Sequence, residues 1–244
     1  MKDLEWLKND LIAHRGLYKQ DQSIPENSLS AFKNALMHGY SIELDLTLLK
    51  DNTVISFHDE NFFRLCGDER TICDVEFKDL KNLTYLNTNE TIPLLKDVLA
   101  LVAGRVPLLI ELKPFGNLLA LCEETMKIMK DYPGKWAVFS FHPKVVKWFK
   151  KNHPEIIRGQ ITSFFKTNDK LGFVSKYLMK SLFFNRFNKP DFISYYIDDL
   201  PNKYADRFKK KGKIVISFSA KSQAEFTFVK RHYDNVVFEF FQPK

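Results

Sequence analysis

Ser41-Ile42-Glu43-Leu44-Asp45-Leu46, then a Lys50-Asp51-Asn52 turn, then Val54-Ile55-Ser56-Phe57 running into His58-Asp59: this stretch reads as a buried strand ending on two acids and a short strand returning to a histidine. Two further apolar runs end the same way. Leu11-Ile12-Ala13 leads into His14-Arg15, and Val106 to Ile110 leads into Glu111-Leu112-Lys113. Buried parallel strands read as continuous apolar runs, and in a β/α barrel the reactive groups gather where those strands end. Two histidines, three carboxylates, an arginine and a lysine would meet in one mouth, the parts needed for metal-assisted phosphodiester hydrolysis.

Outward from that stretch, strands alternate with helices. Asn27-Ser28 can cap a helix in which Leu29, Phe32, Ala35 and Leu36 share a face, and Gly39 closes it. Pro93 opens a helix that Gly104 ends before the Val106–Lys113 strand. Strands are expected at Trp136–Phe141, Ile156–Ile161, Asp191–Ile197, Lys213–Phe218 and Asn235–Phe240, with amphipathic helices between most of them. Eight main strands, with the His58 strand extra, imply parallel pairing and closure: an α/β fold, a TIM-type (β/α)8 barrel with a small insertion after the second strand. The insertion covers about 59–90, where isolated apolar residues among Asn, Asp, Thr and Lys predict irregular chain with short helical pieces roofing one side of the site. A second segment, Phe164 to Lys189, is rich in Phe, Leu, Tyr, Lys and Arg with Asp169 its only acid, and is expected to be a loop after the fifth strand.

The 244 residues are expected to form a single domain, 1–244. With 45% hydrophobic and 27% charged residues the composition is that of an ordinary globular protein, and no apolar stretch approaches the roughly 18 residues of a spanning helix. Met1 to Asp10 has no uninterrupted apolar core of a secretory signal, and Cys66, Cys73 and Cys122 are odd in number without metal-type spacing, so a cytoplasmic location with reduced thiols is expected. The net charge of +7 suits anionic partners; no basic run carries a nucleic-acid signature, so no nucleic-acid partner is expected.

Glu43 and Asp45, two apart on a strand, point to one face. Carboxylates about 4 Å apart repel by roughly 4 kcal/mol at an effective dielectric of 20, so they need a cation or a shared proton. Glu111 can add a third oxygen, and an all-oxygen shell suits one hard divalent cation, Mg²⁺, Ca²⁺ or Mn²⁺, rather than zinc. The competing structural reading pairs these acids with Arg15 or Lys113 in an ion network. His14 and His58 suit complementary acid and base duties, because imidazole changes protonation near neutral pH. In the leading order His14 is the base and His58 protonates the departing alcohol, although residue type does not fix which starts. Arg15 and Lys113 are candidate clamps for the phosphate oxygens. His38, His142, His153 and His232 read as structural.

His14-Arg15-Gly16, Pro25-Glu26-Asn27-Ser28, Ala31-Phe32, Ala35, Gly39, Glu43-Leu44-Asp45-Leu46, Lys50-Asp51 and His58-Asp59 together resemble, in order and spacing, the glycerophosphodiester phosphodiesterase family. The likeness continues more weakly through Arg64, Gly67, Ile92-Pro93-Leu94, Glu111-Leu112-Lys113 and Ser140-Phe141, and Pro190-Asp191-Phe192 with the loop before it looks like a bacterial branch. The resemblance implies a barrel that hydrolyses glycerophosphodiesters to glycerol 3-phosphate and an alcohol. It implies an acid–base pair at His14 and His58, a divalent ion on Glu43, Asp45 and Glu111, and phosphate contacts from Arg15 and Lys113. Glu26 is expected to orient Arg15 or the metal shell. Phe218-Ser219 and Phe238-Glu239 depart from the Trp-Thr and Thr-Asp with which the family often ends its last strands, a change bearing on the alcohol-binding wall. Two alternatives stand beside this reading. One is a lysophospholipase D or related phospholipid phosphodiesterase, making peripheral membrane contact through about 164–189. The other is a non-catalytic phosphate-binding scaffold.

Overall fold

The computed structural model describes residues 2–167 and 171–244; Asp169 lies outside them. In chain order the elements are α1 (Glu5–Asn9), β1 (Ile12–Ala13), α2 (Leu29–Met37), β2 (Ser41–Leu48), β3 (Val54–Ser56), α3 (Phe63–Cys66), α4 (Leu95–Val102), β4 (Leu108–Leu112) and α5 (Leu118–Met129). They continue with β5 (Trp136–Ser140), α6 (Pro143–Asn152), β6 (Ile157–Thr162), α7 (Phe173–Lys180), α8 (Asn185–Asn188), β7 (Phe192–Tyr196), α9 (Lys203–Lys209), β8 (Ile214–Ala220), α10 (Gln223–His232) and β9 (Asn235–Phe238). Eight strands alternate with helices as in a (β/α)8 barrel, and β3 is the extra one. The chain forms two compact units, Ala13–Trp136 and Met1–Ile12 with Ala137–Lys244.

In the Ala13–Trp136 unit, β2 is the central element. All eight of its residues are buried, as expected of a strand covered on both faces. It pairs in parallel with β4, setting Asp45 opposite Glu111, and antiparallel with β3, setting Leu46 opposite Ser56. These two registers set Asp45, midway along β2, beside Glu111 near the end of β4, and the Phe57 amide donates to the Asp45 carbonyl, which brings His58 after β3 to the same place. The Ser28 side chain caps α2 by accepting from the Ala31 amide, so the polar loop after β1 leads directly into a helix.

The insertion holds short helical pieces, as its sequence predicts: α3 and 3-10 turns at Ile72–Asp74 and Phe77–Asn82. Phe57, Phe62, Leu65, Ile72, Leu80 and Tyr85 lie within one buried cluster. These apolar residues follow neither a 3.6 nor a 2 period, because short turns rather than one long element aim them inward.

In the other unit, β5 to β9 pair in parallel in sequence order. Gly159 on β6 is a packing requirement, since a Cβ there would sit 2.3 Å from the Phe192 ring on β7. The segment 164–189 is not a plain loop: it contains α7 and α8. No residue of α7 is buried, so the core-facing stripe that betrays a helix in sequence is missing.

Candidate active site

The residues after β1 are held by a tight reversal. Gly16 has φ +78°, and a Cβ on it would lie 2.8 Å from the Ala31 backbone, so the chain can turn this closely against α2 only with glycine. The reversal places the Arg15 amide to donate to Glu43 Oε2 at 2.9 Å and the Gly16 amide to donate to the Glu43 carbonyl at 3.2 Å. His14 Nε2 stands 3.9 Å from Glu43 Oε2.

Glu43, Asp45 and Glu111 are all buried and each offers an oxygen within 4.8 Å of the others. Lys113, at the end of β4, lies 2.7 Å from Glu111 Oε1 and 3.3 Å from Asp45 Oδ1. Arg15 pairs with Glu26 at 2.5 Å and its Nε lies 3.4 Å from Asp45 Oδ2. Both cations expected to clamp phosphate are therefore engaged with carboxylates here, Arg15 with Glu26 and Asp45, Lys113 with Glu111 and Asp45.

Burial, together with the negative charges of Asp45 and Glu111, pushes the Glu43 carboxyl well above the usual carboxylate range. Burial likewise raises Glu111, to about 7. Burial works on Asp45 in the same sense, but Lys113, His58 and Arg15 outweigh it and hold Asp45 below its ordinary value. Three buried acids crowded together, two of them with raised proton affinity, are a donor set that fits a hard divalent cation, whose binding would relieve their mutual repulsion.

Three residues join the site that sequence reasoning gave no catalytic part. Asn27 is fully buried: its Nδ2 donates to Asp45 Oδ2 at 2.8 Å, and its Oδ1 accepts from the Asp45 amide at 3.0 Å and from Ser56 Oγ at 3.1 Å. Asp59 accepts from His58 Nδ1 at 2.6 Å. Arg64, on α3, donates to Asp59 at 2.6 Å and to both oxygens of Glu26 at 2.7 and 3.0 Å. Arg64 thereby ties the His58 side of the site to the Arg15 side. Burial would raise Asp59 and Glu26, but hydrogen bonds from His58 and Arg64 hold Asp59 below the ordinary range, and those from Arg64 with the Arg15 charge hold Glu26 below it. An ionised Asp59 can only accept, so the His58 proton sits on Nδ1 and Nε2 carries a lone pair in the neutral ring. Burial and the Lys113 charge lower the proton affinity of His58, which favours the neutral ring. The one sequence signal for Asn27 is its place in Pro25-Glu26-Asn27-Ser28, where Ser28 alone accounts for the helix cap.

The remaining histidines have local partners: His38 Nδ1 meets the Asn34 carbonyl, His142 caps α6, His153 meets Glu155, and His232 meets the Phe228 carbonyl. The two late departures from the family pattern meet each other, Ser219 Oγ donating to Glu239 Oε1 at 2.7 Å.

A family model described as the glycerophosphoryl diester phosphodiesterase family matches residues 14–231. The chain belongs to that family. Among its relatives, the glycerophosphodiester phosphodiesterase of Caldanaerobacter subterraneus subsp. tengcongensis is 32% identical over 165 residues, 63% of this chain and 66% of the relative. The protein of the same description from Bacillus altitudinis is 32% identical over 164 residues, 62% and 66% of the two chains. The chain thus matches just under two thirds of the length of these relatives. Similar solved structures include an Oleispira antarctica phosphodiesterase in complex with the product sn-glycerol-3-phosphate, with TM-score 0.79, 20% identity, and 97% and 94% of the two chains covered. A glycerophosphodiester phosphodiesterase of Thermotoga maritima aligns with TM-score 0.71 and 21% identity over 93% of each chain. Likeness over nearly the whole chain gives the fold class, a (β/α)8 barrel with β3 the added strand.

Proposed function

We propose that this family member is a metal-dependent phosphodiesterase hydrolysing glycerophosphodiesters to glycerol 3-phosphate and an alcohol. The observation that carries the reading is the buried Glu43, Asp45 and Glu111 cluster, with oxygens within 4.8 Å, in the unit that also holds His14, Arg15, His58 and Lys113. Further support comes from the Oleispira relative of the same fold, which holds sn-glycerol-3-phosphate. The three acids would hold one hard divalent cation, Mg²⁺, Ca²⁺ or Mn²⁺, which when bound supplies Lewis-acid polarisation of the phosphate.

The chain's own residues carry the rest. Arg15, through its planar fork, and Lys113, as a compact charge, bind the non-bridging phosphate oxygens by exchanging carboxylate partners for phosphate. The hydrogen bonding supports an order of duties opposite to the one that leads from sequence. His58, with its proton on Nδ1 toward Asp59, takes a proton at Nε2 from the attacking oxygen, either water or the substrate's own glycerol hydroxyl; the second route closes a cyclic phosphate that water then opens to glycerol 3-phosphate. Asp59 steadies the resulting imidazolium, and Arg64 keeps Asp59 ionised. His14 then gives a proton to the departing alcohol. Glu26 keeps Arg15 pointed at the site, and Asn27 fixes the Asp45 carboxylate.

Purified protein given Mg²⁺ or Ca²⁺ and a panel of glycerophosphodiesters should release glycerol 3-phosphate, and His14→Ala and His58→Ala should each lose about 10²- to 10⁴-fold in turnover. No release from any substrate in the panel would overturn the reading, and activity unchanged in both variants would point to the scaffold alternative. A second substrate class, lysophospholipids at a membrane surface, is favoured by the exposed Phe173, Val174 and Tyr177 of α7. Among the described residues no helix is long and apolar enough to cross a membrane. We also read residues 1–244 as one functional domain, because the family model runs from 14 to 231 across both compact units. The free thiols of Cys66, Cys73 and Cys122 support a cytoplasmic location.

A further inference from the structure

An open groove of about 620 Å³ lies in the Ala137–Lys244 part of the chain, bordered by α7, α8, α9 and the strand that follows. Arg186, Lys189, Lys203, Arg207, Lys211 and Lys213 line it, and no acid does. The chain as a whole has 37 basic to 30 acidic residues, so six cations without a carboxylate exceed what composition alone gives. All six are exposed, and among the described residues none is ion-paired. Arg186 instead lies over the Phe183 ring at 4.2 Å and Lys203 over the Tyr204 ring at 5.4 Å. Asn185, also on the groove wall, has neither side-chain atom hydrogen-bonded. Mutually repelling cations gathered on one concave surface without acids call for an anionic partner.

The apolar surface beside the groove decides which kind. Tyr177 and Ser181 of the α7 segment line the groove, and Phe173 and Val174 lie one turn earlier on the same helix, 81% and 68% exposed. Phe187, on α8, is 53% exposed. A free phosphate has no use for these side chains, and an acidic peptide or an RNA would engage the cations while leaving Phe173 and Val174 in water. A bilayer with anionic headgroups satisfies both: phosphates against the cations, and aromatic and aliphatic tips among the acyl chains.

We propose that the groove and the exposed face of α7 form a docking surface for an anionic phospholipid bilayer. The surface acts in attachment, and its case is independent of whether the hydrolase reading holds. The test is sedimentation of the full chain with vesicles of equal parts phosphatidylglycerol and phosphatidylcholine, against vesicles of phosphatidylcholine alone. The wild type should sediment with the anionic vesicles and stay in solution with the neutral ones, and added salt should release it. Each Lys or Arg near such a surface strengthens partitioning about fivefold, so the triple variant Lys203→Glu, Arg207→Glu, Lys211→Glu should lose at least about 100-fold. Phe173→Ser with Val174→Ser should lose about tenfold or more with the cations intact. All five positions are exposed, and thermal melting of each variant should match the wild type. The proposal is overturned if the wild type does not sediment, if it sediments equally with neutral vesicles, or if the triple reversal binds as the wild type does. Tight binding to a short RNA that is unaffected by Phe173→Ser with Val174→Ser, alongside weak vesicle binding, would equally overturn it in favour of a nucleic-acid partner.

Discussion

Replacing Asn27 probes the site through one side chain whose contacts are all internal. Asn27→Ala deletes a hydrogen bond to the ionised Asp45 and leaves the Asp45 amide and the Ser56 hydroxyl without their acceptor. A bond to a charged group contributes about 1.5–3 kcal/mol, and two orphaned neutral donors in a dry site cost at least about 1 kcal/mol each. Asn27 also has φ +56°, a left-handed conformation that alanine adopts at a cost of about 1 kcal/mol. The losses overlap, so an unfolding deficit of about 4 kcal/mol is expected, read as a drop in the urea midpoint at unchanged slope. Asn27→Gly removes the backbone cost and keeps the hydrogen-bond loss, so it should recover only about 1 kcal/mol of the deficit. Because Asp45 loses the group that aims it, calorimetric titration with Mg²⁺ or Ca²⁺ should show about 10- to 100-fold weaker binding in both variants. An alanine variant within 1 kcal/mol of the wild type with unchanged ion affinity, or a glycine variant that is fully wild type, would refute the role given to this amide.

Glu43→Gln removes a carboxylate from a site that already strains to hold three, so without a divalent ion the variant should melt no lower than the wild type; Mg²⁺ or Ca²⁺ should raise the wild-type melting temperature and leave the variant unmoved. Asp59 and Glu26 are held below their ordinary values, so the stability they contribute is complete above about pH 5 and is lost as acid protonates them; in Arg64→Ala the acid-side fall in melting temperature should be shallower than in the wild type. Gly159→Ala should lower the urea midpoint by the equivalent of about 1–3 kcal/mol, because the added methyl meets the Phe192 ring; a neutral result would mean that β6 and β7 can part without cost.

What could be read from the sequence, and what could not, follows from how each residue is held. Glu43 and Asp45 were legible because a strand has a strict period of two and β2 is buried along its whole length; Glu111 was legible because it closes the apolar run of β4. The site's second layer is held differently. Arg64 reaches Glu26 and Asp59 from a four-residue helix inside an irregular insertion, and Asn27 reaches Asp45 from the position before a helix cap. Those positions are set by turns and left-handed residues rather than by a repeating pattern, and a sequence period carries no sign of them. The helix α7 escaped for the opposite reason: Phe173, Val174 and Tyr177 face outward and none of its residues is buried, so its composition reads like core while its burial does not.

The charge balance of the site ties its separate observations together. Glu26, Glu43, Asp45, Asp59 and Glu111 are five carboxylates, and Arg15, Arg64 and Lys113 are three fixed cations in contact with them, which leaves two negative charges uncovered when His58 is neutral. Burial and the neighbouring negative charges raise the proton affinities of Glu43 and Glu111, so the imbalance is felt most at the buried end of the site. One divalent ion has the charge that covers it. Asp45 is the acid Arg15 and Lys113 share, so an ion drawing on Asp45, Glu43 and Glu111 would weaken the hold of those acids on both cations. Arg15 would keep Glu26 as an anchor, and Lys113 would be free to turn. The ion pairs that look like a structural network in the free site would on this account be the resting form of the phosphate clamp, so Arg15 and Lys113 satisfy both readings.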